Sequence, residues 1–362
     1  MKWKKGESAV SLTQSDMRII AQCKMPFTEM LRQHPNKNIP PLWSVLSYAM
    51  LRQNSKPECV WIHYRMLKEV QENTARYYYH RQIPKAAGGF RELYIPQPFL
   101  QLEQAFIRDT ILSALPVDDH AYAYRKGVCI TDCAQPHVKQ DVLIHLDIHD
   151  FFGSITEDMV YETLLRETRY TKALCRILAR SCCLNGHLPQ GTVASPMLSN
   201  IVFRCCDIAL TQIADEHHLQ YTRYSDDLYF SGDSGTDVQR VLHAISHTLL
   251  SFGFRLNTNK TQVRRQQHRQ AVLGLTVNDH LQVNRTYRRN LMQELYYLER
   301  FGKNCKGAIE AGDYWKYMEQ LQGKLAYVLH MDPNNSQLWE AHLKLALRMT
   351  RYARFREKKY LF

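Results

Sequence analysis

The sequence predicts an α+β fold in which a small sheet carries helices on one face. Three observations point there. The middle third alternates strand, helix, hairpin, helix and strand rather than repeating a strand–helix unit. The stretches 1–75 and 286–362 carry apolar residues at helical spacing. With 362 residues, the chain is long enough for two or three packed units around a real core.

The elements follow in order. "SLTQSDMRIIAQ", "PPLWSVLSYAMLRQN" and "ECVWIHYRMLKEV" read as N-terminal helices, the first behind a Ser/Thr cap and the second behind prolines. "RYYYHRQIPKAAGGFRELYIPQP" is aromatic and β-prone but broken by Ala-Ala-Gly-Gly, which predicts a hairpin with Lys85 and Arg91 on either side of the turn. "FLQLEQAFIRDTILSAL" is an amphipathic helix with Leu102, Phe106 and Ile107 on one side. A short apolar strand, Val142 to Ile148, bears Asp147 near its end. One helical pattern spans "EDMVYETLLRETRYTKALCRILARSCC", and a Gly/Pro/Ser loop then leads into a helix from about Met197 to His217. A hairpin through Tyr224-Ser225-Asp226-Asp227, a helix over about 236–252, and two or three short strands complete the middle region.

Composition narrows the function. A hydrophobic fraction of 45% with 23% charged residues belongs to a globular protein and excludes a disordered or fibrous chain. The formal charge of +12 points to a polyanion, most often nucleic acid and sometimes a membrane surface. The ten cysteines make no Cys-x-x-Cys and read as reduced, mostly buried thiols of a cytosolic protein. Cys129, Cys133 and His137 are spaced to share a helix face, but Pro136 interrupts the helix and no fourth zinc ligand is evident. "MKWKKGESAVSLTQ" lacks an apolar core of signal-peptide length, so a soluble protein without a membrane partner is expected.

Asp226 and Asp227 carry the chemistry. An Asp-Asp pair disfavours a strand interior and favours a turn. Both acids at a hairpin tip either face solvent or hold a cation. If a neighbouring strand brings Asp147 to them, three carboxylates repel unless cations sit among them. Oxygen-only ligation suits Mg²⁺. Two such ions about 4 Å apart clamp the attacking and leaving oxygens of a phosphoryl displacement, with a 3′ or 2′ hydroxyl of nucleic acid as nucleophile.

"HLDIHDFFGSI", "LPQGTVASPMLSN" and "RYSDDLYF", in that order, resemble the palm motifs of reverse transcriptases. The flanking blocks "IPKAAGGFRELYIPQPFLQLEQAFIRDTIL", "AYAYRKGVCITDCAQPH" and "LQGKLAYVLHMDPNN" resemble the retron enzymes of bacteria most. Three elements depart from that pattern. Asn-Ala-x-x-His is here Cys133-Ala134-Gln135-Pro136-His137, Val-Thr-Gly is Val272-Leu273-Gly274, and Tyr-Ala-Asp-Asp carries Ser225.

The resemblance implies a right-hand polymerase. Residues 76–140 and 157–189 would be fingers, 141–156 and 190–285 the palm, and 286–362 a helical thumb, after a helical N-terminal region over 1–75. It implies Asp147, Asp226, Asp227 and Lys260 as catalytic, Lys260 as proton donor to pyrophosphate. Asp147, the backbone carbonyl of Ile148, Asp226 and Asp227 would hold two Mg²⁺ ions, with Mn²⁺ as substitute. Lys85 and Arg91 would hold the triphosphate, Gln190 and Gly191 would pack on the incoming nucleotide, and Phe152 would exclude a ribose 2′-OH. Phe151 is the core residue of that pair. The 272–278 block matches the primer-grip hairpin. His137, Lys344, Arg348, Arg351 and Arg354 would contact RNA.

The implied function is reverse transcription of a cognate non-coding RNA into DNA from dNTPs. Synthesis would begin at a 2′-OH of that RNA, in the bacterial cytoplasm, with a separate effector protein in antiphage defence. Another bacterial reverse transcriptase (intron-like or a standalone defence type) and a silent RNA-binding scaffold are the alternatives.

Overall fold

The computed structural model describes residues 74–85 and 88–359; the expected N-terminal helices lie outside them. In chain order the elements are β1 (Tyr78–Pro84), β2 (Phe90–Pro96), α1 (Pro98–Thr110), α2 (Ile130–Ala134), β3 (Val142–Asp147), α3 (Phe151–Ser154), α4 (Glu157–Glu167) and α5 (Lys172–Cys182). Then come α6 (Ser195–Glu216), β4 (Gln220–Tyr224), β5 (Asp227–Gly232), α7 (Val238–Ser251), β6 (Gln262–Arg265), β7 (Ala271–Val272) and β8 (Leu275–Thr276). Four helices follow: α8 (Arg285–Phe301), α9 (Lys306–Ala311), α10 (Tyr314–Met331) and α11 (Ser336–Lys359). The fold is α+β, with a central antiparallel sheet and flanking helices.

The chain divides into two compact units. One holds the described residues up to Asp118 together with His149–Ile208; the other holds Asp119–Ile148 and the chain from Ala209 onward.

In the first unit β1 and β2 pair antiparallel from Tyr78↔Pro96 to Pro84↔Phe90, as the hairpin pattern predicts. Gly88 and Gly89 both take positive φ, and the Lys85 amide donates to the Gly89 carbonyl. Tyr78, Leu100 and Leu184 form a small apolar cluster. Beside it Gln104 Nε2 donates to the Tyr78 hydroxyl (2.9 Å) and to the Ser181 carbonyl (3.0 Å). The single helix expected over 157–183 is two, α4 and α5. Thr156 and Thr171 each begin one by accepting from the amide three residues on, Met159 N (3.2 Å) and Leu174 N (3.3 Å). A helical period carries no mark of such a break; the caps carry it.

In the second unit the sheet order is β4-β5-β3-β6, every pair antiparallel. Strand alternation sorts its residues into two faces. Ile144, Leu146, Leu228 and Phe230 share one face and are fully buried. Leu143, His145, Asp147, Asp227 and Tyr229 share the other. At Leu143 and Tyr229 that face is also covered, by Cys133 and Ala134 of α2 and by Val272, Leu275 and Val277 around the β7–β8 hairpin. The expectation of cover on one face only is therefore corrected: apolar residues close both.

The C-terminal helices pack on each other through Leu291, Leu295 and Leu298 of α8, Met318, Leu321, Leu325 and Val328 of α10, and Leu338, Leu345 and Met349 of α11. These recur three, four or seven residues apart, the stripe of amphipathic helices. Tyr327 and Met331 also join the apolar cluster against the sheet, which seats α10 beside β7–β8. Among the described residues α6 alone is long and apolar enough to cross a membrane; 56% of its apolar window is buried inside the fold, as in a core helix.

Candidate active site

The sheet brings the acids together. Asp147, the last residue of β3, is the register partner of Asp227, the first of β5. Tyr224 pairs with Asp227 across a two-residue turn made of Ser225 and Asp226. Ser225 takes φ +60°, the positive φ that tight hairpin turns demand. Only Asp226 is thus at the tip, and Asp227 lies on the strand beside Asp147. The Ile148 amide donates to the Asp226 carbonyl (2.9 Å), tying the turn to the end of β3. Arg223, wholly buried, donates through Nη1 to the Ser225 carbonyl (3.2 Å). The Ser225 hydroxyl, where the resemblance leads one to expect Ala, meets the Tyr124 hydroxyl at 3.0 Å.

Each strand acid is held by a donor. Asp147, 5% exposed, accepts from Asn257 Nδ2 at Oδ1 (3.0 Å) and from Lys260 Nζ at Oδ2 (2.6 Å). The Asn257 amide also donates to the Asp147 carbonyl (2.8 Å). Asp227 Oδ1 accepts from His145 Nε2 (2.7 Å). The electrostatics match: the hydrogen bond to Asp147, with Asp226 and Asp227 nearby, holds the Lys260 ammonium above its ordinary range. Burial, and then the charges of Asp227 and Asp147, push the Asp226 carboxyl upward.

Among the described residues no three or more His, Cys, Asp or Glu side chains form a ready cation cage; both oxygens of Asp147 and one oxygen of Asp227 each accept a single protein donor and keep further lone pairs. The donor set nonetheless suits a hard divalent cation. It is all oxygen, it concentrates like charge that raises Asp226, and such ions need only one or two carboxylates besides waters and phosphates.

Asn257 and His145 were missed from the sequence. Alternation places His145, two residues before Asp147, on the same face, which is a usable signal. Nothing in "NTNKTQV" separates Asn257 from an ordinary loop asparagine.

The remaining candidates fall in several places. Lys85 and Arg91 are exposed at the β1–β2 turn. The Gln190 carbonyl accepts from the Tyr94 amide of β2 (2.7 Å). Gly191, at φ +104°, lies so near that an added Cβ would stand 3.1 Å from the Tyr94 carbonyl oxygen. A close backbone approach does require glycine here, and the neighbour is β2. Phe151 is buried, edge-on to Phe203, while Phe152 is half-buried.

His137 corrects an expectation. It is fully buried, its nitrogens meet Ser231 Oγ (2.6 Å) and Thr222 Oγ1 (2.7 Å), and burial lowers its pKa to about 3. It is a neutral tie between the 135–137 turn and the sheet, with no surface to offer RNA or a metal.

Lys344, Arg348 and Arg351 line one groove of about 830 Å³ between α8 and α11. Lys344 pairs with Glu340 (3.0 Å), and Arg348 donates to the Tyr314 hydroxyl (3.3 Å) and the Glu299 carbonyl (3.1 Å). Arg354 lies further along α11.

The site is thus a carboxylate pair in register across adjacent antiparallel strands, with a third acid in the adjoining turn and a lysine on the first. Residues 83–277 match the reverse transcriptase (RNA-dependent DNA polymerase) family, and the chain belongs to it. It is of the retron type. It is 32% identical to the retron Mx65 reverse transcriptase of Myxococcus xanthus over 72% of this chain and 63% of that protein. It is 25% identical to the retron Ec86 reverse transcriptase of Escherichia coli over 75% of this chain and 78% of that one. The chain thus spans a little under two thirds of the first relative's length. Among solved structures, telomerase from Candida albicans matches with a TM-score of 0.42 at 13% identity, covering 80% of this chain and 60% of that one, too loosely to argue from.

Proposed function

We propose that this chain copies part of a cognate structured non-coding RNA into single-stranded DNA. Synthesis starts from a 2′-OH of that RNA and yields a branched RNA–DNA hybrid, in antiphage defence with a separate effector protein. The observation that carries the reading is the Asp147↔Asp227 register pair with Asp226 in the adjoining turn. In the right-hand description, the palm is 141–156 and 190–285, the fingers are 76–140 and 157–189, and the thumb is 286–362.

Asp147, the Ile148 carbonyl, Asp226 and Asp227 would hold two Mg²⁺ ions, for which Mn²⁺ can substitute; when bound, they activate the attacking hydroxyl and offset charge on the leaving pyrophosphate. Lys260, hydrogen-bonded to Asp147 and 59% exposed at its side chain, gives a proton to the pyrophosphate. Lys85 and Arg91 neutralise the triphosphate. Gln190 and Gly191 bear on the incoming nucleotide, and the Phe152 ring excludes a 2′-OH and so selects dNTPs. Lys344, Arg348, Arg351 and Arg354 contact the phosphates of the RNA.

The test is to purify the protein with its native locus and analyse the co-purifying nucleic acid with RNase, DNase and a debranching enzyme. Single-stranded DNA of one defined length, joined to RNA by a debranchable bond, supports the reading. RNA alone, or unbranched DNA of random length, replaces it with another kind of bacterial reverse transcriptase.

A further inference from the structure

We propose that His145 is a positioning residue for the Asp227 carboxylate, fixing one of its oxygens so that the other stays available to a divalent cation. The inference rests on the polymerase reading above. His145 and Tyr229 are register partners on β3 and β5, and Asp227 lies two residues before Tyr229 on the same face. The imidazole lies flat on the Tyr229 ring, centroids 4.7 Å apart and planes 9° from parallel. From there it crosses the diagonal to Asp227 and donates from Nε2 to Oδ1 at 2.7 Å.

The platform is rigid. Tyr229 is 3% exposed, its hydroxyl accepts from the Leu273 amide of the β7–β8 turn (3.3 Å), and it packs among Cys133, Leu143, Val272 and Leu275. The imidazole orientation is therefore set by packing before the carboxylate is met.

An aspartate needs such a partner. Its terminal torsion is broad, so an unrestrained carboxylate at a strand start samples many orientations. One charge-assisted hydrogen bond selects among them. Oδ2 of Asp227 has no hydrogen-bond partner among the described residues. The division of labour resembles that at metal sites, where an outer partner orients the ligand rather than touching the ion. Asp147 differs, since Asn257 and Lys260 engage both of its oxygens.

Two variants separate donor from packing. His145→Phe keeps a ring on Tyr229 and removes the donor; His145→Gln places an amide donor near the Nε2 position. Mn²⁺ affinity is read by electron paramagnetic resonance of the protein–RNA complex without dNTP, alongside kcat, KM for dNTP, and melting temperature. The Phe variant should bind Mn²⁺ about tenfold more weakly or worse, lose kcat without a change in the KM for dNTP, and melt like the wild type. The Gln variant should restore both affinity and kcat. Should the Phe variant not fold, His145→Asn takes its place, its amide being too short to reach Oδ1. A Phe variant that binds Mn²⁺ and turns over like the wild type overturns the inference, as does equal loss in the Phe and Gln variants. A wild-type chain that binds no Mn²⁺ and incorporates no dNTP brings down the polymerase reading and this inference together.

Discussion

At the scale of single residues, the acids have unequal surroundings. Asp147 is buried and doubly hydrogen-bonded, Asp227 is singly held, and Asp226 sits in the turn with its carboxyl raised by burial and by its neighbours. Replacing Asp226 and Asp227 together by Asn should abolish dNTP incorporation while RNA binding, measured by filter retention, stays within roughly a few fold, since phosphate contacts dominate affinity. Incorporation by the double variant would refute the assignment of those acids. Phe152→Ala should admit rNTPs, read as the ratio of kcat/KM for dNTP and rNTP; an unchanged ratio removes Phe152 as the gate. Its neighbour Phe151 is buried against Phe203 and was legible as core from the sequence. His137 was not. A histidine within a family-like motif reads as a contact residue, and only the positions of Thr222 and Ser231 turn it into a core tie.

At the scale of elements, local chemistry and long-range packing divide the work. The β1–β2 and β4–β5 hairpins were readable because their turns need residues that tolerate positive φ or favour turns. The β7–β8 turn is less obvious. Leu273 and Gly274 both take positive φ, +49° and +84°, the pattern of a two-residue hairpin turn that glycine and asparagine usually fill. A leucine there gives no local turn signal, and the hairpin over 272–278 was expected only from the family resemblance; the Leu273 side chain packs beside the apolar cluster on the sheet.

Helix α10 begins with a clearer mark. Asp313 Oδ1 accepts from the amides of Trp315 (2.7 Å) and Lys316 (3.1 Å). Asp313→Ala should cost about 1 kcal/mol, measured by urea unfolding. A loss near zero would mean that the packing of Leu321, Leu325 and Val328 fixes the helix start without the cap.

At the scale of the whole molecule, buried polar groups set the response to pH. Glu103 is 4% exposed, its Oε2 has no well-formed hydrogen bond among the described residues, and burial, opposed only in part by the nearby Ser181 hydroxyl, raises its pKa from 4.5 to about 8. Between those values the folded chain holds a proton that the unfolded chain has released. Its contribution to stability is therefore complete below the lower value and declines as pH climbs to the upper one, by up to about 1.4 kcal/mol per pH unit. Glu103→Gln should gain on the wild type from pH 5 to pH 8 in denaturant unfolding. A difference independent of pH would show that Glu103 is already ionised in the fold. The charge of +12 acts at the same scale, drawing the chain to a polyanion without choosing one.

The sequence by itself determined the α+β class, the β1–β2 and β4–β5 hairpins and the apolar helix stripes, and it marked Asp147, Asp226 and Asp227 as candidates, because each is written in local periodicity, turn chemistry or a short motif. Tertiary structure alone decided that Asp147 faces Asp227 in register, that His145 and Asn257 hold them, and that His137 is buried. Those facts depend on which strands pair and in what register. Strand pairing joins residues some eighty positions apart, a distance over which no local pattern carries information.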